Sequence, residues 1–122
     1  IPVVFFILIM NKQYRLKKTF EIERLFKKRQ SVGNMFFVIY YDNLSDDILK
    51  IAFSVSKKLG NAVVRNKEKR MLREIMRNNI KKMSGLKLLV VERKDALGLS
   101  FNQKEKEITR LLEKINKKRR KK

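Results

Sequence analysis

The sequence predicts an α+β fold, a two-layer sandwich in the order helix, strand, strand, an optional short strand, helix, strand, helix. Three observations predict it. The stretches SVGNMFFVIYYDN and LKLLVVE are rich in β-branched and aromatic residues, as strands are. The stretch KIAFSVSKK alternates apolar with small or polar residues at a period of two. Two longer stretches, opening at Asn61 and at Ser100, repeat their apolar residues at helical spacing.

The amino end, IPVVFFILIM, is continuously apolar. At about ten residues it is too short to span a bilayer. It has neither a positive leader nor a small-residue cleavage site. The expectation is that Met10 is the natural start, or that residues 1–9 are a dispensable extension; a membrane-surface anchor is the alternative. The chain thus divides into an apolar extension over 1–10, one domain over 11–116 and a basic tail over 117–122.

Thr19 can cap a first helix, with Ile22, Leu25 and Phe26 at helical spacing and an end near Arg29. SVGNMFFVIYYDN reads as the first strand, bounded by Gly33 and by Asp42-Asn43. Phe36, Val38 and Tyr40 point to one side of it and Phe37, Ile39 and Tyr41 to the other. Both sides are apolar, so both need cover. DNLSDD turns the chain. In the next strand Ile51, Phe53 and Val55 face inward and Ala52, Ser54 and Ser56 outward. Asn61 is an N-cap for a helix running to about Asn79. Leu86 to Glu92 is a buried strand that joins the same sheet by a crossover. Ser100 and Gln103 form a capping box, and Ile108, Leu111, Leu112 and Ile115 make the buried stripe of a last helix.

With 122 residues the chain has one modest core. Thirty-two Lys and Arg against twelve Asp and Glu give a net charge of +20. Such a balance speaks of partners rather than fold. Nucleic acid comes first, because clustered cations release its counterions; an anionic membrane comes second. No cysteine and no histidine are present. That excludes disulfides, thiolate metal sites and Ser-His or Cys-His catalysis. Asp46 and Asp47 adjoin each other, but within a turn, and make a poor metal site.

The helix in NAVVRNKEKRMLRE carries the sharpest signal. With Arg65 at zero, Lys69 lies at about 40°, Arg73 at about 80°, Asn66 at about 100°, Arg77 at about 120° and Arg70 at about 140°. Val64, Met71, Leu72 and Ile75 gather on the opposite side, at roughly 240° to 340°. Solvated helix faces usually mix signs, because like charges four apart destabilise a helix. A face of nearly one sign calls for an anionic partner.

SVSKKLGNAVVRNKEKRMLRE resembles the signature of the bacterial ribonuclease P protein subunit. YRLKKTFEIERLFKKRQSVGN resembles the opening helix and turn of that family, FVIYY its first strand and LKLLVVERKDA its later strand. The resemblance covers roughly residues 12 to 115. It implies a fold like the second domain of ribosomal protein S5, with a left-handed βαβ crossover. It also implies a cytoplasmic RNA-binding subunit of the ribonucleoprotein endoribonuclease that removes the 5′ leader of precursor tRNA. The implied partners are the catalytic RNA subunit and precursor tRNA, with no membrane and no DNA. Catalysis would reside in the RNA with Mg2+, and the polypeptide would raise substrate affinity and aid metal binding.

By this resemblance Arg65, Asn66, Lys69, Arg70 and Arg73 face the catalytic RNA, with Lys57 and Lys58 beside them. Ile22, Phe26, Val38 and Tyr40 map onto a cleft for the single-stranded leader. By period alone Phe26 and Val38 read as core; flat platforms beside cations are also what extended single strands need. Two positions depart from the family pattern. Glu68 stands where the family usually has an aliphatic, at about 300° on the apolar side of the helix. It calls for a lysine at the rim, or for a helix seated less deeply. Ile22 stands where phenylalanine is common, and stacks less well on a base. The terminal KKRRKK fits either phosphate contact or a solvated, disordered tail. The rival readings are a ribosomal-type RNA-binding protein of the same fold, a membrane-surface protein and a self-sufficient nuclease.

Overall fold

The computed structural model describes residues 23–24, 27–28, 30–43, 50–79, 83 and 85–120. Residues 23, 24, 27 and 28 are helical, within the span expected for the first helix. Ile22, Leu25 and Phe26 lie outside the described residues, as do residues 1–20 and the Asp46–Asp47 turn.

Strands β1 (Ser31–Gly33), β2 (Phe37–Asn43), β3 (Lys50–Ser54) and β4 (Leu86–Glu92) form one sheet in the order β1-β2-β4-β3. Its β1·β2 and β2·β4 pairs are antiparallel and β3·β4 is parallel. Parallel neighbours need a long crossover. Helix α1 (Ala62–Asn78) supplies it, as the sequence predicts. Helix α2 (Phe101–Arg120) closes the chain.

The single strand expected in SVGNMFFVIYYDN is instead a hairpin, and Gly33, expected to bound it, ends a strand of its own. Asn34 cuts the run: its side-chain oxygen accepts from the N–H groups of Phe36 (2.8 Å) and Phe37 (2.9 Å), and its own N–H donates to the Phe37 carbonyl at 2.9 Å. A short polar side chain that satisfies the backbone locally competes with the ladder and turns the chain. The optional short strand expected after β3 is a 3-10 turn, Lys57–Leu59. Four strands therefore arise, with the extra one before β2 rather than after β3.

The core lies between one face of the sheet and the two helices. Phe37, Ile39 and Tyr41 of β2, Ile51 of β3 and Leu86, Leu88 and Val90 of β4 meet Leu72, Ile75 and Met76 of α1 and Ile108, Leu111, Leu112 and Ile115 of α2. Burying each such aliphatic contributes about 1.5–3 kcal/mol. The last-helix stripe is as expected, and Ser100 and Gln103 make the reciprocal capping bonds at 2.9 and 3.3 Å. Asn79 ends α1. Its Nδ2 donates to the Ile75 carbonyl at 2.9 Å, and its Oδ1 accepts from Thr109 of α2 at 3.3 Å. Helix α2 continues through Arg120, so the first four cations of KKRRKK prolong the helix rather than trail as a disordered tail.

Candidate nucleic-acid interface

Helix α1 is launched by two devices. Gly60 has φ +154°, and a Cβ there would lie 2.9 Å from Val64 Cγ1, so only glycine enters this turn without strain. Asn61 then caps the helix, its side-chain oxygen accepting from Val64 N–H at 3.0 Å. The turn just before, with Lys57 and Lys58, is exposed.

The polar arc sits slightly differently on the fold from its place on the helical wheel. Met76, at about 20°, is fully buried and belongs to the core. Val64, expected on the apolar side, is exposed, and Met71 is half-buried. The buried stripe is thus rotated toward the first cations. Arg65, Lys69 and Arg73 are half-buried along its border, while Asn66, Arg70, Arg77 and also Lys67 stand fully outward. The rotation follows from tertiary packing, which the helical period alone does not reveal.

Two electrostatic features mark this band. Among the described residues Lys57, Lys58, Arg65, Lys69 and Arg70 make no ion pair; Glu74 is engaged by Arg77 at 3.7 Å. Arg65 Nε is also buried with no hydrogen-bond partner among the described residues. An unsatisfied buried donor costs about 1–3 kcal/mol. A phosphate oxygen reaching the guanidinium would recover part of that.

The second face of the sheet, away from α1 and α2, is built by register. Residues opposite one another across a ladder share a side. Val38, Val91 and Ser54 form one row, Tyr40, Leu89 and Ala52 the next, and Asp42, Lys87 and Lys50 the third. Tyr40, Ala52 and Val91 pack on Leu89 to make a separate apolar patch. Val38 and Tyr40, assigned to the cleft, are both half-buried here. Lys28 reaches across to Asp42 at 2.8 Å, which brings the helical residues 27–28 to the rim of this face. Ile22 and Phe26, the other half of the assigned cleft, lie outside the described residues. Lys50 and Lys87, which the sequence reading did not assign, bring cations to the end of the patch. Their signal was parity: each occupies the outward-facing set of its strand.

Glu68 finds neither a rim lysine nor a shallower helix. It is buried, 5% exposed, and pairs at 2.6 Å with Lys104 of α2, itself 2% exposed. Glu92 of β4 lies buried in the same cluster.

Comparison with known proteins bears on all of this. A family model described as Ribonuclease P matches residues 10–116. The ribonuclease P protein component of Bacillus pumilus is 42% identical over 107 residues, spanning 86% of this chain and 90% of that protein. The one from Mycoplasma mycoides subsp. mycoides is 35% identical over 108 residues, spanning 87% and 99%. Among solved structures, the Staphylococcus aureus RNase P protein superposes with a TM-score of 0.70 at 35% identity, covering 82% of this chain and 93% of that one. The Thermotoga maritima RNase P protein gives 0.73 at 30% identity, covering 82% and 94%.

Proposed function

The chain belongs to the ribonuclease P protein family, subunits of a tRNA-processing endoribonuclease, and from that premise we propose how it divides its work between two surfaces. The basic band of α1, with Lys57 and Lys58, grips the catalytic RNA. The second face of the sheet, with Val38 and Tyr40 as its floor, receives the single-stranded leader of precursor tRNA, and Ile22 and Phe26, outside the described residues, complete the proposed set. The observation that carries this reading is that Lys57, Lys58, Arg65, Lys69 and Arg70 meet no acid among the described residues, the exposed Glu74 of α1 being engaged by Arg77.

The chemistry fits polyanion binding. Long cations spaced along one helix side neutralise successive phosphates and release their counterions. Guanidinium groups also grip a phosphate through paired hydrogen bonds. Tyr40 offers a ring for base stacking, worth roughly 1–3 kcal/mol per base, and Lys50 and Lys87 stand near it for the leader's phosphates. Among the described residues no three acidic side chains gather as metal ligands. On this reading Mg2+ belongs to the RNA subunit, which performs the hydrolysis, while the α1 cations offset phosphate repulsion around it. Among the described residues no helix is long and apolar enough to cross a membrane.

Reconstitution tests the proposal. Mixed with an in vitro transcript of the catalytic RNA at limiting Mg2+, the protein is expected to restore 5′ maturation. Tyr40→Ala should weaken precursor tRNA binding relative to mature tRNA. Equal loss for both substrates would remove the leader from the sheet face, and no stimulation by the wild-type protein would refute the whole assignment.

A further inference from the structure

Three elements meet at one buried charged cluster. Lys104 of α2 donates to Glu68 Oε1 of α1 at 2.6 Å and lies 3.9 Å from Met71 Sδ. Glu92, the last residue of β4, is 4% exposed, and neither of its carboxylate oxygens has a hydrogen-bond partner among the described residues. The ammonium thus pairs with one carboxyl group, while a second lies buried beside it without such a partner. If both were ionised, the cluster would hold a net negative charge away from water, which is costly. A proton held between Glu68 and Glu92 removes that charge. It also supplies the donor that Glu92 lacks.

We infer that Glu68, Lys104 and Glu92 form a protonated strut that seats the basic helix α1, so that the grip on RNA depends on the strut keeping its proton. They are positioning residues. Glu68 is the only charged side chain of α1 that is buried, and it stands between Arg65 and Lys69, two of the half-buried cations of the band. Whatever moves Glu68 against β4 moves those cations.

The electrostatics agree with the geometry. Burial raises the Glu92 carboxyl to about 8, with the Glu68 carboxyl beside it adding to the rise and the Lys104 ammonium opposing it. Glu68 from α1 and Lys104 from α2 are the charged groups acting on it; its register partner in β2 is Phe37, which carries none. The folded protein therefore keeps this proton up to about 8, whereas an unfolded chain releases it near the ordinary 4.5. Stability from the proton is full below the lower value and is lost as pH rises through the upper one. Above it Glu68 and Glu92 repel, and α1 lifts from β4.

This inference rests on the reading that α1 binds the catalytic RNA, and the test separates the two. Affinity for an in vitro transcript of that RNA is measured at constant salt from about pH 6.5 to 8.8, below the ordinary lysine range, for the wild-type chain and Glu92→Gln. The amide donates to Glu68 as the shared proton does and cannot ionise. Wild-type affinity should fall at least about fivefold across the range, tracking the lost proton, and Glu92→Gln should stay flat. Identical pH profiles for the two proteins would overturn the strut. Carbon-13 carboxyl NMR on the wild-type chain gives a second measurement, independent of RNA and of whether the variant folds. One glutamate should titrate far above the rest, with α1 amide shifts following it. If every glutamate titrates in the ordinary range, the strut is wrong even where RNA binds. If RNA fails to bind at any pH while that high titration is present, the RNA reading fails and the proton-holding cluster stands.

Discussion

Helices α1 and α2 pack on one face of the same sheet and carry six and eight basic side chains, yet they dispose of them differently. On α2 acids are interleaved with the cations and spent on the fold. Glu107 takes Arg110 at 3.2 Å and the Asn34 side chain at 3.1 Å, and Glu105 accepts from Asn78 at 2.7 Å. Its cationic last turns also suit the negative end of the helix dipole. On α1 one acid is buried against Lys104 and the other sits beside Arg77, so Arg65, Lys69 and Arg70 meet no acid among the described residues. Basic content alone therefore does not mark an interface. What marks it is positive charge that the protein's own structure leaves uncompensated.

The largest effect is expected where the two helices trade charge. Lys104→Met removes the ammonium and strands two buried carboxyl groups. Breaking a buried pair from one side costs about 3–5 kcal/mol. The loss should be greatest at neutral pH, where the pair still carries a negative charge with no ammonium to offset it, and smaller in mild acid, where that charge is neutralised. Urea unfolding at the two pH values measures this. A variant as stable as wild type at neutral pH would show that Lys104 is solvated and that α2 lends α1 nothing.

Next comes RNA affinity. Arg65→Ala, Lys69→Ala and Arg70→Ala together should weaken binding of the catalytic RNA by roughly 100-fold at moderate salt, and the salt dependence should flatten by about one unit of slope per lost phosphate contact. Lys106→Ala, Lys114→Ala and Lys117→Ala on α2 remove the same charge and should cost only a few-fold, through the general field. Filter binding over a salt series compares them directly. Equal losses would reduce the interface to net charge.

Much of this architecture was legible in the residues. Period-two alternation located β3, an apolar run located β4 to its ends, and caps at Asn61 and Ser100 located both helices, because these signals are local. What escaped was set by distant partners. Asn34 looks like any strand-edge polar residue until its side-chain oxygen is seen to hold two backbone N–H groups. The tilt of the buried stripe toward Met76 follows from where α1 meets the sheet. The partner of Glu68 lies 36 residues away, beyond any helical or strand period. Lys50 and Lys87 join the apolar patch only through the parallel register of β3 and β4. The cations of α1 were legible because one helix carries them all; the leader face was only half legible because four elements share it.

The caps come third. Asn61→Ala and Ser100→Ala each remove a side-chain bond at a helix start and should each destabilise by about 1 kcal/mol in urea unfolding. Their effects on RNA should differ. Fraying at Asn61 disturbs the end of α1 that presents Lys57, Lys58 and Arg65, so affinity should drop with stability. Fraying at Ser100 leaves the band in place. RNA binding that tracks stability equally in both would dissolve the distinction between the helices.

The smallest effect is the most discriminating, because it compares single exposed arginines. Arg110 of α2 is 57% exposed at its side chain and pairs with Glu107. Removing one partner of such a surface pair changes stability by about 0–1 kcal/mol. It also releases a carboxylate where a neutral pair stood. Arg70 of α1 is likewise exposed, with no acid among the described residues to leave behind. Arg110→Ala should therefore shift both unfolding and RNA affinity by amounts close to error, while Arg70→Ala should leave unfolding unchanged and lower RNA affinity by roughly 3–10-fold, as one lost phosphate contact does. Both variants lose one positive charge, so the overall field falls equally. If they weakened RNA binding equally, position on α1 would count for nothing and the attraction would belong to the +20 charge of the whole chain.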